Sequence, residues 1–120
     1  MDIKELRVGN YVSPFGKGFD KIIYIDGVKE TIKCENFAES KIYNFEPVKL
    51  TDEILAKFNN GKALQKYDTL ILNDKVHFEM FDEGLYFTAG TGCSLHRIEY
   101  LYELQNIVLM FSNYELEINL

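Results

Sequence analysis

Residues 101–111 constrain this chain more than any other stretch. Leu101, Leu104, Val108 and Phe111 recur at i, i+3, i+7 and i+10, the spacing of one helical face. Ile107, Leu109 and Met110 add apolar surface on the other sides. A helix that is apolar over most of its girth has to be buried on more than one side, so the rest of the chain must supply a layer for it to lie on. Directly behind it, Glu115, Leu116, Glu117 and Ile118 alternate polar with apolar. That pattern predicts a final strand with Leu116 and Ile118 facing in.

The layer is written upstream as a meander. Tyr67–Leu72 and Val76–Phe81 are strand-like runs joined across Asn73-Asp74-Lys75. In the second run Val76, Phe78 and Met80 share one face, and His77, Glu79 and Phe81 the other. Asp82-Glu83-Gly84 makes the next turn, Leu85–Thr88 the third strand, and Leu95–Ile98 a fourth after a glycine-containing loop. Before the meander, Thr51 offers a side-chain oxygen at a helix start, with Asp52 and Glu53 in the first turn, where carboxylates suit the positive end of the dipole. Ile54, Leu55 and Phe58 give the apolar stripe, and Asn59-Asn60-Gly61 the stop.

The first fifty residues read as β structure. Leu6–Val12 has strand character with Gly9 inside it, a mark of a bulge or bend. Ser13–Gly18 is a loop by composition. Phe19–Ile25 and Val28–Cys34 flank Asp26-Gly27, which predicts a two-residue hairpin turn. In the second of these runs Val28, Glu30, Ile32 and Cys34 are expected on one face. Lys41–Phe45 is a further short strand, and Glu46–Leu50 is extended around Pro47. Short strands with a glycine-bent first one resemble a small SH3-like barrel. The expectation is therefore one α+β domain over residues 1–120. Residues 1–50 form the SH3-like β-barrel part. Residues 51–120 form a short helix, an antiparallel β-meander, a long C-terminal helix packed on it, and a final strand.

Composition narrows the functions. Apolar residues make up 47% of the chain, which with nine Phe and eight Tyr marks a folded globule. Net charge is −6, and residues 51–120, with five basic and eleven acidic side chains, hold all of the imbalance. Only two arginines, Arg7 and Arg97, are present. A phosphate-binding surface needs clustered cations, so nucleic acid is disfavoured as a partner. The chain shows no basic start followed by an apolar run and no stretch of eighteen apolar residues, so neither a signal peptide nor a membrane span is expected. Cytoplasmic localisation and free thiols follow as expectations.

Few residues here can carry chemistry. Cys34, His77, Cys93 and His96 match in type the ligand set of a Cys2His2 zinc site, but only Cys93 and His96 are close in sequence. Cys93 with His96, oriented by Glu99 or Glu103, is the one candidate for a nucleophilic thiol; residues three apart in a strand face opposite ways, which argues against it. Thr88-Ala89-Gly90-Thr91-Gly92 lacks the Gly-Lys-Ser/Thr ending of a phosphate loop. Glu103, Gln105 and Asn106 form the polar part of the terminal helix, either lining a cleft or, the favoured reading, serving the backbone nearby.

Three blocks of sequence look like one family. They are Leu6-Arg7-Val8-Gly9-Asn10-Tyr11-Val12; Glu46-Pro47-Val48-Lys49-Leu50-Thr51-Asp52-Glu53 with Leu55, Lys57 and Phe58; and Tyr102-Glu103-Leu104-Gln105-Asn106 with Glu115-Leu116-Glu117-Ile118. Together they resemble a group of short uncharacterised proteins of Bacteroides-type bacteria and their phages or mobile elements. The chain departs from the pattern at Lys49, where the family carries a second proline, at Ile54 and Leu55, where it carries an aromatic, and at Ser112-Asn113, where it carries Thr-Gly. The resemblance implies a cytoplasmic location and a mobile-element origin, and implies no activity, cofactor or metal.

The residues that remain distinctive are aromatic and basic. Tyr11, Phe15, Phe19 and Tyr43 with Lys17 and Lys21 are expected to form the groove by which SH3-like barrels hold extended peptides. The function expected first is thus a non-catalytic protein-interaction or regulatory module. Two others stand beside it: a thiol- or metal-dependent enzyme using Cys93, His96 and Glu103, and a weak single-stranded nucleic-acid binder through the first half.

Overall fold

The computed structural model describes residues 1–88 and 96–118. The chain is α+β, with antiparallel sheets and two α-helices among the described residues, and it forms two compact units, Met1–Val48 and Lys49–Leu120.

The first unit is a five-stranded sheet in the order β4-β3-β2-β1-β5, built from β1 (Tyr11–Pro14), β2 (Asp20–Asp26), β3 (Thr31–Cys34), β4 (Phe37–Lys41) and β5 (Phe45–Pro47). The sequence placed its first strand too early. Ile3–Glu5 is a 3-10 turn, and the chain then bends through Arg7–Asn10. Gly9 sits at φ 101°, where a side chain would be strained, and the Asn10 side chain accepts the Arg7 N–H at 2.9 Å to close the bend. The β2–β3 hairpin also differs from expectation. Asp26 pairs with Thr31, so the loop is four residues long, and the Asp26 carboxylate accepts from the N–H groups of both Val28 and Lys29 at 3.0 Å. That side-chain cap favours the longer loop over the two-residue turn. Val28 therefore stands in solvent while Ile32 and Cys34 are buried.

The strand expected over Lys41–Phe45 is displaced as well. Phe37–Lys41 is the strand, Ile42–Asn44 is a 3-10 turn, and the chain straightens again at Phe45. Phe-Ala-Glu-Ser-Lys has little intrinsic strand preference; pairing with β3 through Thr31↔Lys41, Ile32↔Ser40 and Cys34↔Phe37 supplies it.

The second unit begins with α1 (Asp52–Phe58), whose N-cap Thr51 accepts the Ile54 N–H at 3.3 Å. Asn60 and Gly61, both at positive φ, end it, and the Gly61 N–H reaches the Ala56 carbonyl at 2.8 Å. The meander follows in the order β6-β7-β8-β9: β6 (Thr69–Leu72), β7 (Val76–Phe81), β8 (Gly84–Phe87) and β9 (His96–Ile98). Asn73 and Asp74 take the two left-handed conformations that the β6–β7 turn needs. Leu70, Leu72, Val76, Phe78, Leu85, Phe87 and Ile98 are buried, as the alternation predicts, and α2 (Leu101–Ser112) supplies buried Leu101, Leu104 and Val108. Complete burial of one such side chain contributes about 1.5–3 kcal/mol.

Two expectations about this helix need correction. Its burial stops at Val108: Met110 and Phe111 are exposed, with Phe111 leaning on the Phe87 ring at 4.9 Å. Residues 115–118 join no strand, although Leu116 and Ile118 are buried as expected. One of its ties is a side chain, the Gln105 Nε2 donating to the Leu116 carbonyl at 3.0 Å. Leu50 N–H donates to the Glu99 carbonyl at 3.1 Å, tying the entry to α1 to the entry to α2.

Candidate functional site

In the first unit the loop between β1 and β2 turns back in left-handed conformations at Phe15 (φ 51°), Gly16 (φ 72°) and Gly18 (φ 63°). Glycine is favoured at Gly16 by its positive φ; an added Cβ would also lie 2.8 Å from the Glu46 carboxylate, the end of an exposed side chain that can move aside. Phe15 has no such freedom of backbone and is nevertheless held there, its N–H bonded to the Asn44 carbonyl at 2.7 Å. The result is a phenylalanine 59% exposed at the start of the loop. Behind it the rings run inward edge to face, Phe15 to Phe37 at 5.5 Å and Phe37 to Phe45 at 5.7 Å.

Beside this row lies a groove of about 390 Å3. Phe15, Phe19 and Phe37 line it, together with Pro14, Lys17, Gly18, Asp20 and Asn36. Of the six residues expected to bind, the structure brings Phe15, Lys17 and Phe19 to this groove. Tyr11 is buried in β1, Lys21 is half-buried on β2, and Tyr43 stands in solvent on the 3-10 turn; none of these three lines it. Asp20, Asn36 and Phe37 were missed. Their signal was the Glu35-Asn36 turn, which places Phe37 at the head of β4, but only the fold carries that turn to Asp20.

Asp20 is the buried charged group of the groove, only 8% exposed. Neutral donors hold it: the Lys21 N–H at 2.9 Å, the Asn36 N–H at 3.0 Å and the Asn36 side-chain amide at 3.4 Å. Its charge is felt nearby. Burial pushes the Cys34 thiol up to about 12, and the Asp20 carboxylate adds to the shift. Cys34 is thus a protonated core residue at neutral pH, without the thiolate that nucleophilic or metal chemistry needs.

The other sequence candidates are placed as follows. His77 and His96 lie on β7 and β9, and Cys93 lies outside the described residues, as does the rest of the glycine-containing loop beyond Thr88. His96 Nε2 is 3.8 Å from Glu103 Oε2. Glu103 Oε1, however, accepts from the N–H groups of Glu99 and Tyr100 at 3.1 and 3.0 Å, which makes it the reciprocal cap of α2. Gln105 is buried and tethers Leu116, and Asn106 is half-buried. Among the described residues no group of three His, Cys, Asp or Glu is placed to hold a metal ion.

A second, open cleft of about 360 Å3 lies in the second unit, lined by charged Lys49, Asp52, Asp82, Glu83, Arg97 and Glu99 among apolar neighbours. It holds no hydroxyl, thiol or imidazole; its ionisable groups are amine, guanidinium and carboxylate. Among the described residues no helix is long and apolar enough to cross a membrane. Comparison of the chain with models of known families, with curated proteins and with solved structures gave no match, so the reading of the groove rests on its own geometry.

Proposed function

We propose that this chain is a non-catalytic protein-interaction module whose first unit grips an extended segment of a partner in the Phe15–Phe19–Phe37 groove. We further infer that this unit belongs to the SH3-like barrels. The antiparallel order β4-β3-β2-β1-β5, with a 3-10 turn between β4 and β5, supports that assignment. The observation that carries the functional reading is Phe15. A bulky side chain at positive φ costs of order 1 kcal/mol of backbone strain, and here the strain holds a ring out toward solvent at the lip of an aromatic groove. A core role does not account for that placement; a docking role does. A cytoplasmic setting and a mobile-element origin, both implied by the family resemblance, would make the partner a host or phage protein.

The test is peptide capture. Random dodecapeptides displayed on phage are panned against the full chain, and binders are re-measured on Phe15→Ser and Phe37→Ala. We expect binders whose affinity falls at least tenfold on either substitution. Binders indifferent to both, or no binders at all, would remove the groove as the site of function.

A further inference from the structure

The groove carries more than an apolar wall. Asp20, 8% exposed and with its carboxylate held by neutral amide donors, lines the same groove as Phe15, Phe19 and Phe37. Aromatic faces attract cations through their quadrupole, and do so more strongly where water is excluded. A fixed negative charge in the same place adds a direct ionic partner with little reorganisation. The formal charge of −6 lies in residues 51–120, while residues 1–50 carry eight basic and eight acidic side chains, so the charge that would select a basic partner at the groove is that of Asp20 itself. Lys17 lines the groove too, but it is an exposed ammonium on a flexible stem and can turn into solvent at little cost. Asp20, pinned by three hydrogen bonds, cannot.

We infer that the groove is built for a lysine or arginine side chain of the extended partner segment, laid against the rings of Phe15 and Phe37 with its charged end at Asp20. This rests on the groove being the docking site. Apolar neighbours of the basic residue in the partner fill the Pro14 and Phe19 side, and its charge supplies the specificity. An acidic or wholly apolar segment would leave the buried carboxylate facing a like charge or none, and is selected against.

Two changes, one on each partner, test the inference with the selected peptides. In the peptide, citrulline replaces arginine or acetyl-lysine replaces lysine, which removes the charge, keeps most of the shape and leaves the protein untouched. In the protein, Asp20→Asn removes the partner charge, with circular dichroism to show that the fold is retained. We expect at least tenfold weaker binding for the neutral peptide, at least fivefold weaker binding for Asp20→Asn, and affinity that falls as salt rises. Peptides that depend on Phe15 yet lack a basic residue, or keep their affinity within twofold on neutralisation, would overturn the inference and leave the docking groove standing. Peptides that do not depend on Phe15 would overturn the groove itself.

Discussion

Phe78 and Phe87 of the second unit and Phe15 of the first are used in opposite ways, while Phe111 on α2 is exposed as Phe15 is. In the second, Phe78 is fully enclosed and Phe87 nearly so, the two rings 5.7 Å apart under α2. In the first, the row Phe15–Phe37–Phe45 runs from solvent to core, so that only its inner end is buried. The residue type is the same in both, and the backbone decides which role it takes. A regular strand alternates its side chains and delivers Phe78 to the interior, whereas a loop turned by left-handed residues delivers Phe15 outward. An aromatic count says nothing about binding until the backbone around each ring is known.

That contrast can be broken by substitution. Phe78→Ala should destabilise the chain by about 3–5 kcal/mol in denaturant unfolding followed by circular dichroism, because it opens a cavity in a packed layer. A cost below 1 kcal/mol would mean that the second unit is not organised around that ring. Next in size is Gln105→Leu. It keeps the volume but leaves the buried Leu116 carbonyl without the Gln105 donor, a loss of about 1–3 kcal/mol. Limited proteolysis should then cut beyond Ser112 sooner than in the parent chain, and unchanged cleavage would show that the tail is held by other means.

Phe15→Ala, by comparison, should move stability by no more than about 1 kcal/mol, the scale of one edge-to-face ring contact. A larger effect would turn Phe15 into a core residue and erase the contrast between the units. The smallest effect at neutral pH belongs to Cys34. Its thiol is raised from 9.0 to about 12 in the folded chain, so its contribution is fully present below pH 9 and is lost as pH rises from there toward 12. Comparing the alkaline stability of the parent with Cys34→Val isolates this loss. Equal alkaline loss in both would show that the thiol is not the group responsible.

Local chemistry made much of this fold readable. The Thr51 cap, the Asn59-Asn60-Gly61 stop and the alternation of Val76 and Phe78 each act within a few residues, and each stands where the sequence put it. What failed to read depended on distant partners. Phe37–Lys41 is a strand because β3 lies beside it, and Asp26 lengthens its hairpin by bonding two amides that its own sequence does not announce as acceptor-bound. The site was half visible for the same reason. Phe15, Lys17 and Phe19 are neighbours in the chain and could be grouped by eye, while Asp20 meets Asn36 only across sixteen residues of folded backbone.

The left-handed backbone at Phe15 also bears on how this protein would respond to engineering. Glycine is the residue that relaxes such a conformation, and putting it there should make the loop more comfortable rather than less. A selection for heat resistance alone would therefore tend to discard the ring, and a hardened variant could emerge well folded yet without the side chain on which the proposed docking depends.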